Sequence, residues 1–336
     1  MKILVIRRDN IGDLVCTTPL LRALREHFPR AWIGALANTY NAPVLSGNAD
    51  VDEVFAYRKA KHRDAGESIL AAWWQTWKLI RRLREESLDL AIVAATGRQP
   101  AALKFARWVR ARRVIAYGEP ADGIDDPLPP AEGRHGHETE AVMRLLRPLG
   151  IDEAPGPVRV FADPVLVEKL KHDLAPAGGG PLVGLHISAR KPSQRWPVER
   201  FAALAHALHA SGAARFLLFW SPGAEEHPQH PGDDGKAEKL ATLCRGLPFA
   251  ACPSKRLEDL IAGLAPCDCA ILADGGAMHI AAGLGKPIVC LFGDSGAERW
   301  HPWGVPHRLL QAPSRQVADI PIEAVVQAYT ALLASR

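Results

Sequence analysis

The sequence has no apolar run that approaches the length of a membrane-spanning helix. Its charge is nearly balanced, with 41 Lys and Arg residues against 37 Asp and Glu. This small excess does not indicate nucleic acid binding, although local basic clusters can still recognise an anionic partner. The six cysteines show no Cys-x-x-Cys spacing, so we interpret them as the reduced, space-filling thiols of a cytoplasmic protein. No Gly-x-Gly-x-x-Gly motif with an acidic residue further on follows a predicted strand, which disfavours a dehydrogenase.

The overall composition is typical of a soluble globular protein, because 48% of the residues are apolar and 23% are charged. The N-terminal MKILVI holds one basic residue and a very short apolar run, so we expect a first strand and not a signal peptide. Strand and helix signals alternate along the chain, which predicts parallel, doubly wound α/β sheets. The length and a Pro- and Gly-rich link predict two domains, residues 1–156 and 157–316, followed by a terminal helical segment, residues 317–336.

A compact βαβ unit is predicted around the turn of Asp274, Gly275 and Gly276. An apolar run precedes this turn, a short helix begins at Ala277, and a second buried strand follows. The glycines let a ligand approach the backbone closely, and the unpaired N–H groups of the helix start suit a phosphate. His279 returns to the same side of the helix start, within reach of a diphosphate or a ribose. The alternative is that the turn only connects the two elements and that His279 caps or packs.

The first strand is followed by a loop over residues 8–13 and then by a helix whose predicted N-cap is Thr18. In α/β folds such a loop lies at the carboxyl end of the sheet, where ligands bind. Asp13 is therefore placed in a candidate ligand crevice, and Gly12 lets the backbone turn without a side chain in the way. The alternative is that Asp13 is a turn residue or a carboxylate that interacts with the helix dipole.

Two loops of the second domain carry groups suited to a nucleotide. Arg190, Lys191 and Arg195 precede a predicted helix at the end of a strand, where cations can hold a diphosphate. Glu225 or Glu226 follows the next strand, and a carboxylate at that rim can accept hydrogen bonds from ribose hydroxyls. The alternative for the glutamates is that they only begin a helix.

Two basic clusters lie in the first domain. Ordinary solvated surface is the default interpretation of each, but together they are compatible with an anionic partner. Their residues are Arg58, Lys59, Lys61 and Arg63 in the first cluster, and Arg98, Lys104, Arg107, Arg110, Arg112 and Arg113 in the second.

One predicted helix of the first domain pairs tryptophans with cations, as a membrane-surface helix does. It carries Trp73, Trp74 and Trp77 among lysine and arginine residues. However, Ile69, Trp73, Trp77 and Ile80 also form a core stripe at helical spacing. We favour the core stripe, with the arginines outside.

Together these groups suit a transfer in which a nucleotide-activated group binds the second domain and an acceptor binds the first. Asp13 would act as a general base that takes a proton from an acceptor hydroxyl. The backbone N–H groups of Gly275 to Ala277, with Arg195, would stabilise the leaving diphosphate without a metal. No Asp-x-Asp pair stands out in a suitable loop, so we expect neither a metal ion nor a cofactor.

Three segments resemble, in order and over nearly the whole chain, the signature regions of the ADP-heptose:lipopolysaccharide heptosyltransferase family. The segments are IRRDNIGDLVCTTPLLRALREHFP, ISARKPSQRWPVERFAALAHAL and ADGGAMHIAAGLGKPIVCLFGDSGAERWHPWG. The resemblance implies a GT-B fold, in which two Rossmann-like, doubly wound domains face each other across a central cleft. It also implies an inverting, metal-independent transfer of heptose from ADP-heptose to a hydroxyl of the lipopolysaccharide inner core.

The same resemblance implies roles for individual residues. Asp13 corresponds to the proposed base, and Arg195 to the cation that holds phosphate. The family's set around the nucleotide sugar is here Asp274, Gly276 and His279. Basic residues of a loop in the first domain face the anionic acceptor, and we assign part of the loop after the first strand to the same acceptor. These acceptor residues are Arg58, Lys59, Lys61, Arg63, Arg98, Asn10 and Gly12.

The implied partners are a nucleotide-sugar donor and an anionic glycolipid acceptor of the lipid A-Kdo type, and not a nucleic acid. We expect a monomer in the cytoplasm, with peripheral contact to the cytoplasmic face of the inner membrane. The terminal helix of GT-B proteins often crosses back, so we expect residues 317–336 to pack on the N-terminal domain. Two departures bear on the donor: Gly275 stands where family members commonly have Ser or Thr, and a long polar segment follows Glu226.

Other functions share parts of this pattern. A transferase that uses another nucleotide sugar and another glycan acceptor has the same signatures. A sugar-nucleotide epimerase shares the two-domain architecture, but it needs a second acid or base near the sugar, and the sequence shows no clear partner for Asp13. A relative that only binds a nucleotide would tolerate the loss of Asp13. Selective binding of ADP or of UDP discriminates between these functions.

Overall fold

The computed structural model describes residues 1–57, 69–174, 176–225 and 232–334. The chain divides into two compact units, Met1–Arg159 and Val160–Arg336. The division therefore falls between residues 159 and 160, where the sequence predicted 156 and 157. Each unit contains one six-stranded sheet in which every neighbouring pair of strands is parallel.

In the first unit the strand order is β3-β2-β1-β4-β5-β6. The strands are β1 (Lys2–Ile6), β2 (Trp32–Asn38), β3 (Glu53–Tyr57), β4 (Leu90–Val93), β5 (Arg113–Tyr117) and β6 (Asp126–Leu128). The α-helices are α1 (Ile11–Val15), α2 (Thr18–His27), α3 (Ile69–Glu85), α4 (Pro100–Val109) and α5 (Glu138–Met143). The order reverses between β1 and β4, and this is the place at which doubly wound sheets bind their ligands.

The second unit repeats this topology with the order β12-β11-β10-β7-β8-β9. Its strands are β7 (Leu182–His186), β8 (Arg215–Trp220), β9 (Phe249–Pro253), β10 (Cys269–Ala273), β11 (Ile288–Phe292) and β12 (His307–Gln311). Its α-helices are α6 (Pro164–Leu174), α7 (Val198–Gly212), α8 (Asp234–Leu243), α9 (Leu257–Leu264), α10 (Gly276–Gly283), α11 (Ala297–Trp300) and α12 (Ile322–Ala334). The reversal here lies between β7 and β10.

The register of the strands aligns their carboxyl ends at one edge of each sheet. Val5 of β1 is paired with Ala35 of β2 and with Ile92 of β4. Leu272 of β10 is paired with His186 of β7 and with Cys290 of β11. The loops that follow β1 and β4, and those that follow β7, β10 and β11, therefore emerge side by side in their own unit.

The central strands of both sheets are apolar without alternation, as expected for parallel sheets whose two faces are both covered. All four residues of β4 and all five of β11 are buried. The sheet, α3 and α4 form one core in the first unit, and the sheet, α7 and α12 form one in the second. All six cysteines are free and buried, as the sequence analysis expected.

The structure corrects the predicted core stripe of α3. Trp73 is 61% exposed and Trp77 is 48% exposed, so neither belongs to the core. The helix instead packs on the first unit through Leu83, which is fully buried, and through the partly buried Leu79 and Ile80. Of the predicted core stripe, Ile80 packs on the core, Trp73 and Trp77 do not, and the side chain of Ile69 lies outside those that the structure describes.

The terminal helix α12 belongs to the second unit. Its buried Val325, Tyr329 and Leu332 form part of that unit's core together with Val289 of β11. The apolar face of this helix therefore packs within the second unit, and the expected packing of residues 317–336 on the first domain stays a prediction. In the part of the chain that the structure describes, no helix is both long and apolar enough to cross a membrane.

Candidate functional site

The first cluster of functional groups lies in the loop after β1. Asn10 is the N-cap of the short helix α1, and Asp13 is the third residue of that helix. The Asp13 Oδ2 atom accepts hydrogen bonds from the backbone N–H of Asn10 at 2.8 Å and from its side-chain amide at 2.9 Å. Gly12, which lies between Asn10 and Asp13 in the sequence, is buried. The capping box therefore fixes the orientation of the Asp13 carboxylate.

Arg7 holds the other oxygen of this carboxylate. Its Nη2 atom donates to Asp13 Oδ1 at 2.6 Å and to Glu138 Oε1 at 2.6 Å, and its Nη1 atom donates to the carbonyl of Ala94. The Arg7 side chain is only 3% exposed and that of Glu138 only 1%. Thr96 donates a further hydrogen bond to Glu138. A buried cation is thus shared by two carboxylates that come from distant parts of the sequence.

These contacts set the protonation state of Asp13. Burial by itself would raise the pKa of Asp13, but the charge of Arg7 and the hydrogen bonds from Asn10 and Arg7 outweigh it, and the pKa lies below its usual value. Three donors occupy three of the roughly four acceptor positions of a carboxylate. With the donors that the described residues supply, one position remains, on a side chain that is 12% exposed. Asp13 is therefore an ionised carboxylate that can accept one more proton donor.

Aromatic and amide side chains brace the same loop. The guanidinium of Arg8 lies 4.5 Å from the ring centre of Tyr57 and 4.4 Å from that of Phe105. Asn38 donates to the carbonyls of Arg8 and Asp9. These contacts hold the loop between β1 and α1 in place, so Asp13 occupies a defined position.

Of the predicted acceptor cations, the structure places Arg98. It pairs with Asp122, with 2.9 Å between Arg98 Nε and Asp122 Oδ2, and this contact lowers the pKa of Asp122 to about 2. The Arg98 side chain is 61% exposed. The other four predicted cations, Arg58, Lys59, Lys61 and Arg63, lie outside the described residues, as does Glu226.

The second cluster lies at the carboxyl ends of β7, β10 and β11. Asp274 Oδ2 accepts hydrogen bonds from Gln194 at 2.8 Å and from Ser295 at 2.5 Å. Burial raises the pKa of Asp274, and the contacts with Ser295 and Gln194 oppose that rise. Gly293 lets the loop after β11 pack closely on the loop after β7, because a Cβ atom at this position would lie 2.4 Å from the carbonyl oxygen of Ser193. Three loops of this unit are therefore fixed against one another around Asp274.

The turn after Asp274 presents the start of α10. Gly275 is exposed and extended, with φ 161° and ψ −173°, and a Cβ atom at this position would meet nothing within 4 Å. The first N–H groups of the helix, at Gly276 and Ala277, have no partner within it by geometry. His279 is buried, with its ring 6.0 Å from that of Trp300 in an edge-to-face arrangement. The helix start is thus open, and the histidine behind it is packed.

Arg195 lies in the loop after β7, next to an anchored tryptophan. Its Nε atom donates to the carbonyl of Ala189 at 3.0 Å, and the side chain is half-buried. The neighbouring Trp196 is buried and donates to the carbonyl of Ile320 at 3.0 Å. Lys191 from the same loop lies 3.3 Å from Asp294. The guanidinium of Arg195 is therefore held on an anchored loop at the ligand end of the sheet.

Glu225 follows β8 at the same end of the sheet. It is more than half exposed and lies 2.8 Å from Lys236, which also contacts Asp233 at 2.6 Å. The next described helix, α8, begins only at Asp234. Among the described residues no group of three or more His, Cys, Asp or Glu lies together in a way that would hold a metal ion.

A comparison with known protein families identifies the family of this chain. The sequence profile of glycosyltransferase family 9, the heptosyltransferases, matches residues 130–329, which is more than half of the chain. The chain belongs to glycosyltransferase family 9. It is a glycosyltransferase, and the matched range contains Glu138, Arg195, Glu225 and the whole cluster around Asp274, whereas Asp13 lies outside it.

Individual relatives agree with this membership of family 9. The chain is 27% identical to the lipopolysaccharide heptosyltransferase 3 of Escherichia coli over 87% of this chain and 83% of that protein. It is also 27% identical to the lipopolysaccharide heptosyltransferase 2 of Salmonella typhimurium, over 89% and 84%. The solved structure of the E. coli ADP-heptose lps heptosyltransferase II superposes with a TM-score of 0.80 at 20% identity, covering 100% of this chain and 99% of that one. The family 9 enzyme therefore has the GT-B fold.

Sequence reasoning missed four residues of these clusters. Arg7 and Glu138 are 131 positions apart, and no local pattern connects them. Gln194 and Ser295 are separated by 101 positions and meet only because β7 and β11 flank β10. A signal did exist for Arg7, since a cation directly after a buried strand requires a buried acid as its partner.

Proposed function

We propose that this glycosyltransferase moves a heptose from ADP-heptose to a hydroxyl of the lipopolysaccharide inner core, with inversion and with Asp13 as the general base. The observation that carries the proposal is the Asp13 carboxylate itself. It is buried, kept ionised by Arg7 and Asn10, and has one acceptor position left. A carboxylate in this state can accept the proton of a hydroxyl as the hydroxyl oxygen becomes a nucleophile.

The donor is assigned to the second cluster. The N–H groups at the start of α10 and the guanidinium of Arg195 are donors suited to a diphosphate. Glu225 at the end of β8 is an acceptor suited to ribose hydroxyls. The relative whose structure matches over the full chain is by its title an ADP-heptose enzyme, and this supports ADP-heptose as the donor.

The reaction then proceeds in one displacement. The acceptor oxygen attacks the anomeric carbon of the heptose from the face opposite the diphosphate, so that the new glycosidic bond forms as the bond to ADP breaks. The proton of the hydroxyl passes to Asp13. Negative charge that develops on the leaving ADP is stabilised by the N–H groups of Gly276 and Ala277 and by Arg195. The base and the groups that stabilise the leaving ADP all belong to the protein, and we propose that no metal ion is needed.

The acceptor is assigned to the first unit. The curated relatives are named as lipopolysaccharide heptosyltransferases, and their acceptor class is an anionic glycolipid. Asn10, Gly12 and Arg98 are our acceptor-binding residues within the described chain, together with the cationic residues 58, 59, 61 and 63. We further propose that the enzyme acts as a monomer in the cytoplasm and reaches the acceptor by peripheral contact with the inner membrane.

The test combines binding and transfer. Calorimetry with ADP, UDP, GDP and NAD is expected to show selective binding of ADP. Incubation with ADP-heptose and lipopolysaccharide from a strain with a truncated core is expected to add the mass of one heptose to the acceptor, with or without a chelator of divalent metal ions. Selective binding of UDP would replace the proposed donor, and transfer that stops in the chelator would refute metal independence.

A further inference from the structure

The outer side of α3 carries an unusual set of side chains. Trp73, Trp74 and Trp77 are 61%, 55% and 48% exposed, although tryptophan is normally among the largely buried residues. We call this set, with the cations Lys78 and Arg81, the tryptophan face. We propose that the tryptophan face docks on the surface of an anionic phospholipid bilayer.

The five residues of the tryptophan face form one surface. Each residue advances by about 100° around a helix, so they span roughly 140°. The rings of Trp74 and Trp77 are stacked, with centres 4.8 Å apart and an interplanar angle of 11°. Lys78 lies over Trp74 at 5.4 Å and Arg81 over Trp77 at 5.7 Å. The tryptophans and the cations are therefore neighbours on the same side.

This surface points away from the core of its unit. The opposite side of α3 contributes Leu79, Ile80 and Leu83 to that core, and Arg84 donates to the carbonyl of Trp108 in α4 at 2.6 Å. The helix is therefore held in place without its tryptophans. Three large aromatic side chains that the fold does not need, exposed together, mark an interaction surface.

The charges around the face identify the partner. The helix α3 has four cations and one acid, and α4 has two cations and no acid. Arg81 pairs with Glu85 at 3.1 Å and Arg82 with Glu53 at 3.2 Å, so it is the excess of cations over acids on the two helices that gives the surface its positive charge. Lys104 of α4 lies over the ring of Trp108 at 4.8 Å, next to the contact between the two helices. Such a surface attracts anionic headgroups, while tryptophan rings settle at the boundary between headgroups and acyl chains. In a symmetric dimer through this face the cations of both copies would oppose one another.

This inference deepens the proposed function. It rests on that function only for the reason why the enzyme would bind a membrane, namely that its glycolipid acceptor lies there. Binding to a bilayer can be measured without any transfer. The first unit would bring its loop residues to the acceptor by attaching to the lipids that surround it, and affinity for the membrane would then be separate from affinity for ADP.

The experiment measures binding to vesicles of equal parts phosphatidylcholine and phosphatidylglycerol, by sedimentation and by quenching of tryptophan fluorescence with brominated lipid. The parent is expected to bind these vesicles, and to bind pure phosphatidylcholine vesicles much more weakly. The triple variant Trp73→Ser, Trp74→Ser and Trp77→Ser is expected to bind at least about tenfold more weakly. The matched control Val165→Ser with Leu243→Ser removes exposed apolar side chains from the second unit and is expected to bind like the parent.

Two further readouts keep the outcomes distinct. The triple variant is expected to keep the parent's thermal midpoint and its turnover of a water-soluble, deacylated acceptor. Equal vesicle binding by the parent and the triple variant would overturn the inference, and so would a dimer that the triple variant abolishes. If the parent binds vesicles through the tryptophan face but transfers no heptose, the proposed function fails while the docking surface stands.

Discussion

The contact between Arg7 and Glu138 predicts that Glu138 tunes the basicity of Asp13. The carboxylate oxygens of Asp13 and Glu138 each lie 2.6 Å from the same Nη2 atom of Arg7. These two oxygens are therefore at most about 5 Å apart, and at an effective dielectric constant of about 20 two unit charges at that distance repel by about 3 kcal/mol. This repulsion favours the protonated form of Asp13 and so makes it a stronger base.

The change Glu138→Gln removes that charge and keeps an oxygen for Arg7 and Thr96. Without the repulsion, Arg7 lowers the pKa of Asp13 further, so its carboxylate becomes a weaker base. If about half of the lost basicity reaches the transition state, kcat falls about tenfold at neutral pH. The acid limb of the profile of kcat against pH, where the rate falls as Asp13 becomes protonated, is expected to move to lower pH.

The assay is transfer of heptose to a lipopolysaccharide acceptor, measured over a range of pH for the parent, Glu138→Gln and Asp9→Asn. Asp9 is the matched control, since it lies 3.5 Å from Arg7 Nε but is 25% exposed, against 1% for Glu138. Solvent screening makes its expected shift smaller and in the same direction. An acid limb that stays in place or moves to higher pH in Glu138→Gln would refute the reasoning.

Three more predictions concern the second cluster. Arg195→Ala removes a cation from the diphosphate site and is expected to raise the Kd for ADP about tenfold by calorimetry, with the outlying Arg245→Ala as control; an unchanged Kd would remove Arg195 from the site. Gly275→Ser is expected to leave the thermal midpoint unchanged, because its Cβ atom meets nothing within 4 Å, and to tighten binding of ADP-heptose through a new hydroxyl; a loss of stability would show that the turn needs glycine. Because burial raises the pKa of Asp274, its ionised form costs stability once the pH exceeds the unfolded value of about 3.9. Asp274→Asn is therefore expected to unfold at a higher temperature than the parent at pH 7, and a lower midpoint would count against that assignment.

The sequence predicted the central strands and one edge strand, β3, but not the other three edge strands. Runs such as those of β1, β4 and β11 are apolar throughout because helices cover both faces of a parallel sheet. The analysis missed β6, β9 and β12, and each of these is the last strand at an edge of its sheet. These three strands are only partly buried. The short β6 and the strand β12 mix polar with apolar residues, whereas β9 is apolar but only five residues long and ends in a proline, which is not typical of a strand.

The orientation of α3 shows another limit of sequence reasoning. Its apolar residues fit two stripes at helical spacing, one with Trp73 and Trp77 and one with Leu79 and Leu83. The sequence analysis favoured the stripe with the tryptophans because of its helical spacing, but the structure buries Leu83 and packs Leu79 and Ile80 against the core. The alternative in the sequence analysis, a helix that pairs tryptophans with cations on its surface, agrees better with the exposure of Trp73 and Trp77.

The positions of some candidate site residues were predictable from the sequence, whereas their roles stay predictions. Asp13 lies in α1, the first helix after β1, and Gly275 lies in the turn after β10, so their positions come from the topology. The partners that set their charge state come from elsewhere. Glu138 reaches Arg7 from the start of α5, and Gln194 reaches Asp274 from the loop after β7. Such contacts depend on the packing of the finished fold, which local patterns do not encode.

The most direct test of the account is the rate of heptose transfer in a single turnover by Asp13→Asn. The variant keeps the size of the side chain and one of its two acceptor oxygens, replaces the other with an amide NH2, and cannot take up a proton at neutral pH. The account predicts that the rate falls about a hundredfold or more while the Kd for ADP stays that of the parent. A single-turnover rate equal to the parent's would contradict Asp13 as the base.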